Sequence, residues 1–325
     1  MAAHPNINTL ASVYTPRQVA EYTYELLVAR QDKGRVSCGT AVSSLDSALN
    51  PLLPGELCVV MANTSHYKTG FMSAWARSIA SRITCDTEGK PAEIVVYVSW
   101  ETAVEELGAM DFARMTGLAG AYLWNGALTL EDMRCLRGSL EQRARAPLWV
   151  LGVSLRRRRK QAPLTLPSVS ESLEAVENTY TLTAACIFLD YLQEIPAPKA
   201  GDRREQMIAN MEQAKQLARD CGCPVVIGVQ AGRQVLERDF KLPQLGDGQE
   251  TSRIEQAADK VLTLWLPRNT EQLGTTLPQL GLEVSDNLLV VGIQKQRFGR
   301  AGKIIPVYVN FDSNSLAPLV RETLE

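Results

Sequence analysis

Short runs of hydrophobic residues recur along the chain from Leu57 onwards, and they are rich in β-branched side chains. The early runs are almost continuously hydrophobic, which is typical of strands in a parallel sheet that is covered on both faces. Eight strands are predicted in this way, at residues 57–62, 93–100, 148–153, 185–190, 224–230, 260–266, 288–294 and 304–311.

Segments with helical periodicity separate the first of these strands, at residues 69–82, 103–116, 129–144, 168–180 and 203–221. This alternation predicts a doubly wound α/β fold with a mostly parallel sheet, in which ligands bind at the carboxyl ends of the strands. No helix separates the last three strands, so we expect antiparallel strands at one edge of the sheet.

A further amphipathic helix is predicted ahead of the sheet, at residues 16–32, and a capping-box pattern at Thr15 opens it. Its hydrophobic face requires a partner, which is either the same domain or a neighbouring subunit. We therefore divide the chain into a tail with a linker helix, residues 1–35, and an α/β domain, residues 36–325. The hydrophobic face consists of Val19, Tyr22, Leu26 and Leu27.

The composition is that of a globular protein. Of the 325 residues, 45% are hydrophobic and 22% are charged, which excludes a disordered or collagen-like chain. The 34 basic and 36 acidic residues leave a net charge of −2, which excludes a surface that binds nucleic acid everywhere. Local basic patches remain compatible with this sum.

The cysteines and histidines indicate no metal or disulfide framework. The seven cysteines are scattered and odd in number, and the chain has only two histidines. No stretch approaches the roughly 20 apolar residues that a membrane span needs, and no signal-peptide pattern opens the chain. We expect a reduced, cytoplasmic protein that does not enter a membrane.

The first strand runs directly into a candidate phosphate-binding loop and then into a helix. In such a loop the backbone N–H groups bind phosphates, Lys68 neutralises the terminal ones, and Thr69 holds Mg²⁺. The pattern G-x-x-x-x-G-K-[ST] is incomplete because Ala62 and Tyr67 replace its glycines, so a plain strand-to-helix turn is the alternative. The loop residues are Ala62, Asn63, Thr64, Ser65, His66, Tyr67, Lys68 and Thr69.

Polar side chains also follow three other hydrophobic strands. Glu101, Asp190 and Gln230 each stand at or just past the carboxyl end of a strand. Taken singly, each is compatible with a helix cap or a loop. Together with Lys68 they predict a nucleotide site, because an aspartate at such a position is suited to binding Mg²⁺ beside a phosphate loop.

Six segments, in order along the chain, resemble the RecA-like motor domain of DnaB-type hexameric replicative helicases of superfamily 4. They span roughly residues 36–311, and IFLDYLQ, R-I-E-Q-A-A-D and K-Q-R favour this branch over recombinases of the same fold. The segments are TAVSSLDSALNPLLPGELCVVMA, YVSWE, IFLDYLQEI, GVQAGRQV, ETSRIEQAADKVL and IQKQRFGRAGK.

The resemblance implies a P-loop ATPase whose cofactors are ATP, or another nucleoside triphosphate, and Mg²⁺. Lys68 and Thr69 would contact the phosphates and Mg²⁺, which Asp190 would also support. Glu101 matches the catalytic glutamate that orients or activates water, and Gln230 matches the glutamine that senses the terminal phosphate.

The resemblance also implies a homo-oligomeric ring, expected to be a hexamer. Lys295 and Arg297 match the pair that reaches the nucleotide of a neighbouring subunit, with Arg297 as the arginine finger. The helix at 16–32 matches the linker helix that docks on the adjacent protomer.

Single-stranded DNA is the implied partner, and the segment after Gln193 and the loop at 231–252 match the loops that face it. Candidate phosphate contacts there, unless they are solvated loop charges, are Arg203, Arg204, Arg233, Arg238 and Lys241. The basic run at 156–160 is either a solvated insertion, a site for an acidic partner or a further DNA contact. In the last case its contacts are Arg156, Arg157, Arg158 and Arg159.

Three departures from the family pattern qualify these expectations. One is the basic run at 156–160, where the family usually has an acidic or polar loop. About 35 residues precede the motor, so we expect no primase-interacting domain and no primase-coupled replication by this chain alone. Tyr67 stands where the family has glycine, and a positive φ at this position would cost roughly 1–2 kcal/mol. Tyr67 therefore opposes efficient ATP hydrolysis unless its ring stacks outside the pocket or on a base.

The leading prediction is an ATP-driven ring that translocates along single-stranded DNA as a helicase in DNA replication. Other replication or mobile-element proteins are further candidate partners. The alternative is a ring or filament scaffold that binds DNA or a partner and hydrolyses ATP weakly or not at all. A recombinase-type strand-exchange protein is a third and less favoured interpretation.

Overall fold

The computed structural model of the chain describes residues 15–33, 39–87, 89–156, 163–197, 201–248 and 253–319. The chain divides into two compact units, Met1–Ser37 and Cys38–Glu325. The described part of the first unit is helix α1 (Pro16–Lys33) with the capping residue Thr15 before it. The backbone N–H of Thr15 donates to the side chain of Gln18 (2.9 Å), which is the predicted helix start.

The second unit is built on a nine-stranded sheet. Its first six strands, in chain order, are β1 (Leu57–Ala62), β2 (Glu93–Ser99), β3 (Leu148–Gly152), β4 (Thr183–Asp190), β5 (Val225–Gln230) and β6 (Lys260–Trp265). A separate small hairpin follows, formed by β7 (Thr276–Leu277) and β8 (Leu282–Glu283). The last three strands of the large sheet are β9 (Leu288–Gln296), β10 (Lys303–Asn310) and β11 (Ser315–Pro318).

Strand order in the large sheet is β11-β10-β9-β6-β1-β5-β4-β2-β3. Strands β1 to β6 pair in parallel, whereas β9, β10 and β11 add antiparallel strands at one edge, as predicted. The sequence prediction counted β6 among the three closing strands, for which antiparallel pairing was expected, but β6 is parallel to β1. Strand β11 was not predicted, because four residues are too few for a hydrophobic pattern to be recognised.

Helices cover both faces of the sheet. They are α2 (Ser43–Ala48), α3 (Lys68–Ala80), α4 (Val104–Thr116), α5 (Gly120–Asn125), α6 (Leu130–Arg145), α7 (Leu166–Tyr180), α8 (Arg203–Asp220) and α9 (Arg253–Ala257). The three that the sequence pattern missed, α2, α5 and α9, have five or six residues, less than two turns of helical periodicity. Among the described residues, no helix combines the length and hydrophobicity that crossing a membrane requires.

Strand β1 lies at the centre of the sheet and is buried along its whole length. Val60 packs in the hydrophobic cluster on the α3 face, whereas Val59 and Met61 pack in the cluster on the α7 and α8 face. This double covering explains why β1 is hydrophobic at every position rather than alternately. The loop that follows β1 is thus carried by a strand that is buried at every position.

The long connection predicted at 231–252 is more ordered than a simple loop over its described residues, 231–248. It contains short 3₁₀ turns at Arg233–Glu237 and Leu245–Asp247, and Ala231 pairs with Gly248. The connection predicted at 154–168 ends at α7, whose capping residue Thr165 accepts a hydrogen bond from the backbone of Ser168.

Candidate active site

The carboxyl ends of four adjacent strands bring the predicted site together. Strands β1, β5, β4 and β2 are neighbours in the sheet, in that order. Ala62 at the end of β1 pairs with Gln230, and Asp190 at the end of β4 pairs with Ser99. The loop after Ala62, Gln230, Asp190 and the segment that carries Glu101 therefore meet at one edge.

The loop between β1 and α3 is held from two sides. The buried amide of Asn63 donates to the carbonyl of Gly232 (3.1 Å), just after β5. The amide of Asn269, in the segment after β6, donates to the carbonyl of Ser65 (2.7 Å). Both hydrogen bonds join the loop to segments that are far away in the sequence, and together they fix the path of its backbone.

His66 is a buried and neutral part of this loop. Its Nδ1 accepts a hydrogen bond from the backbone N–H of Leu266 (3.0 Å), and the side chain is only 4% exposed. Burial lowers the pKa of His66 to about 4, because the charged imidazolium would lose its hydration. At neutral pH the residue therefore contributes packing and a hydrogen bond rather than a positive charge.

Tyr67 adopts the left-handed conformation, with φ 66° and ψ 23°, at the position that caps α3. Tyr67 therefore has the positive φ that the sequence analysis raised for this position. For a residue with a side chain, this conformation costs roughly 1–2 kcal/mol of conformational free energy. The ring packs edge-on against Phe311 (centroids 5.1 Å apart), and its hydroxyl donates to Asn314. The Tyr67 ring thus lies against α3 and the turn between β10 and β11.

Lys68, the first residue of α3, carries its charge next to acidic groups without forming a salt bridge to any described residue. Its ammonium lies 3.4 Å from the centroid of the Tyr191 ring. Burial lowers the pKa of Lys68 to about 8, although the charges of Asp190, Glu101 and Glu194 oppose this shift. A half-buried cation of this kind is suited to an anionic ligand.

Asp190 offers an oxygen that no described group uses. The carboxylate is 2% exposed, and its Oδ2 accepts a hydrogen bond from the Tyr97 hydroxyl (2.9 Å). The buried Oδ1 has no hydrogen-bond partner among the described residues. An unpartnered buried carboxylate oxygen is costly unless a ligand or water binds it, so this side chain fits a cation site.

The donor set at this place suits Mg²⁺ that is shared with phosphate. Thr69, in the first turn of α3, would add a hydroxyl oxygen to the carboxylate of Asp190. The described residues contain no cluster of three His, Cys, Asp or Glu side chains that could hold a metal by themselves. Mg²⁺ usually binds through one or two protein oxygens together with substrate phosphates and water, so the residues present fit it.

Glu101 and Gln230 lie at the same edge with different environments. Glu101 is exposed. Burial lowers the pKa of Lys68 and raises that of Tyr191, and the negative charge of Glu101 opposes the first shift and adds to the second. Gln230 contacts the loop directly, since its amide donates to the hydroxyl of Thr64 (2.8 Å). The backbone N–H of Gln230 donates in turn to the side chain of Gln193 (3.1 Å), in the segment after β4.

Lys295 and Arg297 lie at the amino ends of the parallel strands, whereas the loop lies at their carboxyl ends. Strand β9 runs antiparallel to β6, and its last residue, Gln296, pairs with Lys260 at the start of β6. Ala62, where the loop begins, pairs with Leu264, which lies four residues beyond Lys260 in β6. Four residues of a strand span about 13 Å. The structure therefore does not bring these two side chains to the phosphate loop of their own chain.

Arg297 is nevertheless held in a defined position. Its Nε lies 3.1 Å from the buried carboxylate of Asp259, and its backbone N–H donates to the carbonyl of the same residue. The ammonium of Lys295 donates to the carbonyls of Glu255 and Ala258. The Arg297 side chain is 55% exposed, and the next residue, Phe298, is 93% exposed.

The predicted DNA-contacting cations fall into two groups. Arg238 binds Asp247 through two hydrogen bonds of 2.6 Å, and Lys241 pairs with Glu271 at 2.5 Å, so both charges have partners within the protein. The other described cations are exposed and form no salt bridge with a described residue; they are Arg156, Arg203, Arg204 and Arg233. Arg157, Arg158 and Arg159 lie outside the described residues.

Several residues that lie around the loop were not among the candidates predicted from the sequence. Tyr191 directly follows Asp190 and could have been noticed there, whereas Asn269 and Asn314 come from distant segments that carry no recognisable signal. Beside the Tyr67 ring, the guanidinium of Arg268 lies 4.6 Å from the centroid of the Phe311 ring. Only the folded chain places these groups around the loop.

Comparison with known proteins gives a consistent picture of the domain. The family model described as "DnaB-like helicase C terminal domain" matches residues 38–315. The replicative DNA helicase DnaB of Helicobacter pylori strain 26695 is 26% identical over 80% of this chain and 50% of its own length. The corresponding protein of Treponema pallidum is 28% identical over 74% of this chain and 50% of its own length.

A probable plasmid replicative DNA helicase of Chlamydia muridarum is 26% identical over 69% of this chain and 46% of its own length. The chain thus spans about half the length of the curated relatives it matches.

Solved structures show the same fold. One of them, described as an ATPase domain, superposes with a TM-score of 0.77 and 18% identity, covering 95% of this chain and all of that one. A DnaB-like replicative helicase, solved in a study of its interactions with primase, gives a TM-score of 0.74 at 18% identity. That superposition covers 95% of this chain and 68% of the other. By the family match over most of its length, the chain belongs to the DnaB-like helicase C-terminal domain family.

Proposed function

We propose that this chain is an ATP-dependent motor that assembles into a ring, expected to be a hexamer, and moves along single-stranded DNA as a helicase. The proposal rests on one observation: Lys68, Asp190 and Gln230 lie together around the loop after β1, and hydrogen bonds within the protein already hold that loop in place. The names of the relatives support a role in DNA replication, which we place in the cytoplasm.

The residues of the edge divide the work of phosphate hydrolysis among them. Lys68 would bind the terminal phosphates, while Thr69 and Asp190 would hold Mg²⁺. When bound, Mg²⁺ withdraws negative charge from the phosphates and so favours attack on the terminal one. Glu101, which is exposed at the edge, would orient the attacking water and accept its proton.

Gln230 would transmit the state of the site to the rest of the domain. Its side chain contacts the loop at Thr64, and its backbone is tied to Gln193 in the segment that leads towards α8. A change in the phosphate environment would thereby reach the segments that begin after β4 and β5.

Those segments carry the DNA contacts that we propose. Arg203 and Arg204 open α8, and Arg233 follows β5, all on connections that leave the same edge as the nucleotide site. Arg238 and Lys241 are weaker candidates, because binding a DNA phosphate would require them to leave Asp247 and Glu271.

Arg297 would complete the site of a neighbouring subunit rather than its own. It lies at the edge of the sheet opposite the loop, half exposed and held through Nε, which leaves its terminal nitrogens available for a phosphate. This arrangement would make hydrolysis depend on contact between subunits.

A scaffold with weak or no hydrolysis is the second candidate function, and the left-handed backbone of Tyr67 in the phosphate loop favours it. In that case the domain would assemble on DNA or on a partner without turnover. The intact set of Lys68, Glu101 and Asp190 favours the motor instead.

Steady-state ATP hydrolysis with and without single-stranded DNA separates the two candidates. We expect DNA-stimulated hydrolysis that Glu101→Gln reduces by at least about 100-fold, since the group that orients and deprotonates water is lost. Glu131→Gln, an exposed change on α6, serves as a control and should leave the rate unchanged. Assembly without measurable hydrolysis would support the scaffold and contradict the motor.

A further inference from the structure

The side chain of Asn314 joins the phosphate loop to the second turn of α3. Its Oδ1 accepts the hydrogen bond from the Tyr67 hydroxyl, and its Nδ2 donates to the hydroxyl of Ser73 (3.0 Å). Asn314 is 6% exposed and lies in the turn between β10 and β11, 247 residues from Tyr67 in the sequence. One buried amide thus uses both of its ends to hold this loop and this helix together.

The turn that carries Asn314 is itself anchored in the core. Its backbone carbonyl accepts a hydrogen bond from Arg77 of α3 (3.3 Å), and Arg77 is paired with the buried carboxylate of Asp111 on α4 (2.7 Å). Asn314 therefore cannot follow the loop easily if the loop moves, which makes it a fixed point of attachment.

Gly70 makes room for the Tyr67 ring. A Cβ atom at Gly70 would overlap the ring of Tyr67, which lies across the first turn of α3. The backbone φ of Gly70 does not lie in the left-handed region, so the absence of a side chain here matters for space rather than for conformation. The tyrosine before Lys68 and the glycine after Thr69 are therefore spatially complementary.

We propose that Tyr67 and Asn314 form a latch that holds the phosphate loop in the conformation that binds nucleotide. The tyrosine is a positioning residue: its ring packing and hydrogen bond offset the strain of its left-handed backbone. The inference rests on the nucleotide site proposed above. It differs from the expectation from the sequence alone, in which Tyr67 opposes efficient ATP hydrolysis unless its ring stacks outside the pocket or on a base.

The hydrogen-bond geometry supports the donor role of the tyrosine hydroxyl, because the Oδ1 of Asn314 can only accept while its Nδ2 donates to Ser73. Replacing Tyr67 by glycine, the residue of the complete motif, would relieve the strain but release the loop from Asn314.

A double-mutant cycle tests the latch. Tyr67→Phe and Asn314→Ala should each raise the KM and the dissociation constant for ATP by about 2- to 10-fold, as expected for one lost hydrogen bond, with a smaller change in kcat. The double variant should be no worse than Asn314→Ala alone, because both changes remove the same bond. Additive effects would overturn the proposal.

Ser73→Ala is the matched control, since it removes the hydrogen bond from the Nδ2 of Asn314 to the Ser73 hydroxyl. It leaves the bond with Tyr67 and the longer contact of Nδ2 with the sulfur of Met110 (3.7 Å). We expect its ATP affinity to stay within about twofold of the wild type. An effect as large as that of Asn314→Ala would mean that Asn314 acts through α3 alone, which would also overturn the latch.

The complementarity with Gly70 gives a second and independent test. Gly70→Ala should weaken ATP binding severalfold in the wild-type background, because the ring must leave its place. In a Tyr67→Gly background the same change should have little effect. If Tyr67→Gly by itself tightens ATP binding and raises turnover, Tyr67 is an obstruction and the proposal is wrong.

Hydrogen exchange of the nucleotide-free protein separates failure of the latch from failure of the proposed site. Tyr67→Phe and Asn314→Ala should both speed amide exchange in the loop, whereas Ser73→Ala should not. Wild-type protein that binds ATP no better than Lys68→Ala would contradict the nucleotide site, while the exchange rates would still decide the latch. Unchanged exchange in both latch variants would overturn it.

Discussion

At the scale of single residues, burial determines the charge state of the loop that follows β1. The ammonium of Lys68 lies close to Asp190 and Glu101. Because burial removes part of its hydration, the pKa of Lys68 falls to about 8. His66 is buried and has no acidic partner among the described residues, so burial lowers its pKa to about 4. The loop therefore presents one cationic side chain to a ligand at neutral pH.

The buried imidazole of His66 predicts a loss of stability in mild acid. Its pKa is about 4 in the folded protein and about 6.5 when unfolded, so between these values only the unfolded chain binds the proton. The free energy of unfolding should therefore fall as pH drops from 6.5 to 4, by up to about 3 kcal/mol from this residue. Urea denaturation at pH 7.5 and 4.5 measures the change.

The variant His66→Gln should flatten this part of the pH profile, because glutamine does not titrate. His4→Gln removes the other histidine of the chain and is the control, with an expected profile like that of the wild type. Equal acid sensitivity in His66→Gln and wild type would contradict the prediction.

At the scale of elements, one buried carboxylate connects three helices on the α3 face of the sheet. Asp111 of α4 binds Arg77 of α3 (2.7 Å) and Arg143 of α6 (2.6 Å), and it is almost fully buried. No residue of α6 is buried, so this ion pair is a principal attachment of the helix. A buried charge network of this kind is costly to break from one side.

Replacing this carboxylate should destabilise the domain strongly. Asp111→Ala leaves Arg77 buried and unpaired, so we expect the free energy of unfolding to fall by about 3–5 kcal/mol. Glu141→Ala breaks the pair with Arg145 on the same α6 helix, where both side chains are 80% exposed, and should cost less than about 1 kcal/mol. Chemical denaturation of both variants makes the comparison, and similar costs would contradict it.

Helix α1 presents hydrophobic side chains to solvent, among them Val19 (53% exposed) and Leu27 (55% exposed). We expect this face to mediate self-association, since exposed apolar faces of helices usually mark interaction surfaces. The double change Val19→Ser and Leu27→Ser should shift the mass in solution from oligomer towards monomer. The control is Glu25→Ser, an exposed polar position on the same helix. An unchanged mass for the apolar variant would contradict the prediction.

At the scale of the whole molecule, the sheet separates the two places that we propose to act in ATP hydrolysis. The phosphate loop lies at the carboxyl ends of the parallel strands, and Arg297 lies at their amino ends beside Asp259. The antiparallel direction of β9 causes this separation. In a ring, the two edges of neighbouring copies would face each other across each interface.

Mixing two inactive variants tests this arrangement. Glu101→Gln and Arg297→Ala should each lack ATP hydrolysis, but an equal mixture should regain it. In random rings about a quarter of the interfaces combine an intact Glu101 with an intact neighbouring Arg297, so about a quarter of the wild-type rate is expected.

The control mixture pairs Arg297→Ala with the double variant Glu101→Gln and Arg297→Ala, which leaves no complete interface and should stay inactive. Failure of the first mixture to recover activity, with mixed rings present, would contradict the trans role of Arg297.

Much of this organisation could be predicted from the sequence because the signals are local. The hydrophobic runs placed β1 to β6, β9 and β10 within about two residues at most ends, and the capping-box pattern at Thr15 marked the start of α1. Convergence of Lys68, Asp190 and Gln230 followed from the rule that parallel strands end at one edge. The internal partners of Arg238 and Lys241 carried no such signal.

The sequence by itself determined the alternation of strands and helices, the covered sheet and the polar residues at the strand ends, since each depends on neighbours a few positions away. Only the tertiary structure decided where the Tyr67 ring goes, because Asn314 and Phe311 reach it from the other end of the chain. It also decided that Arg297 lies far from its own loop, because strand order and direction arise from long-range pairing.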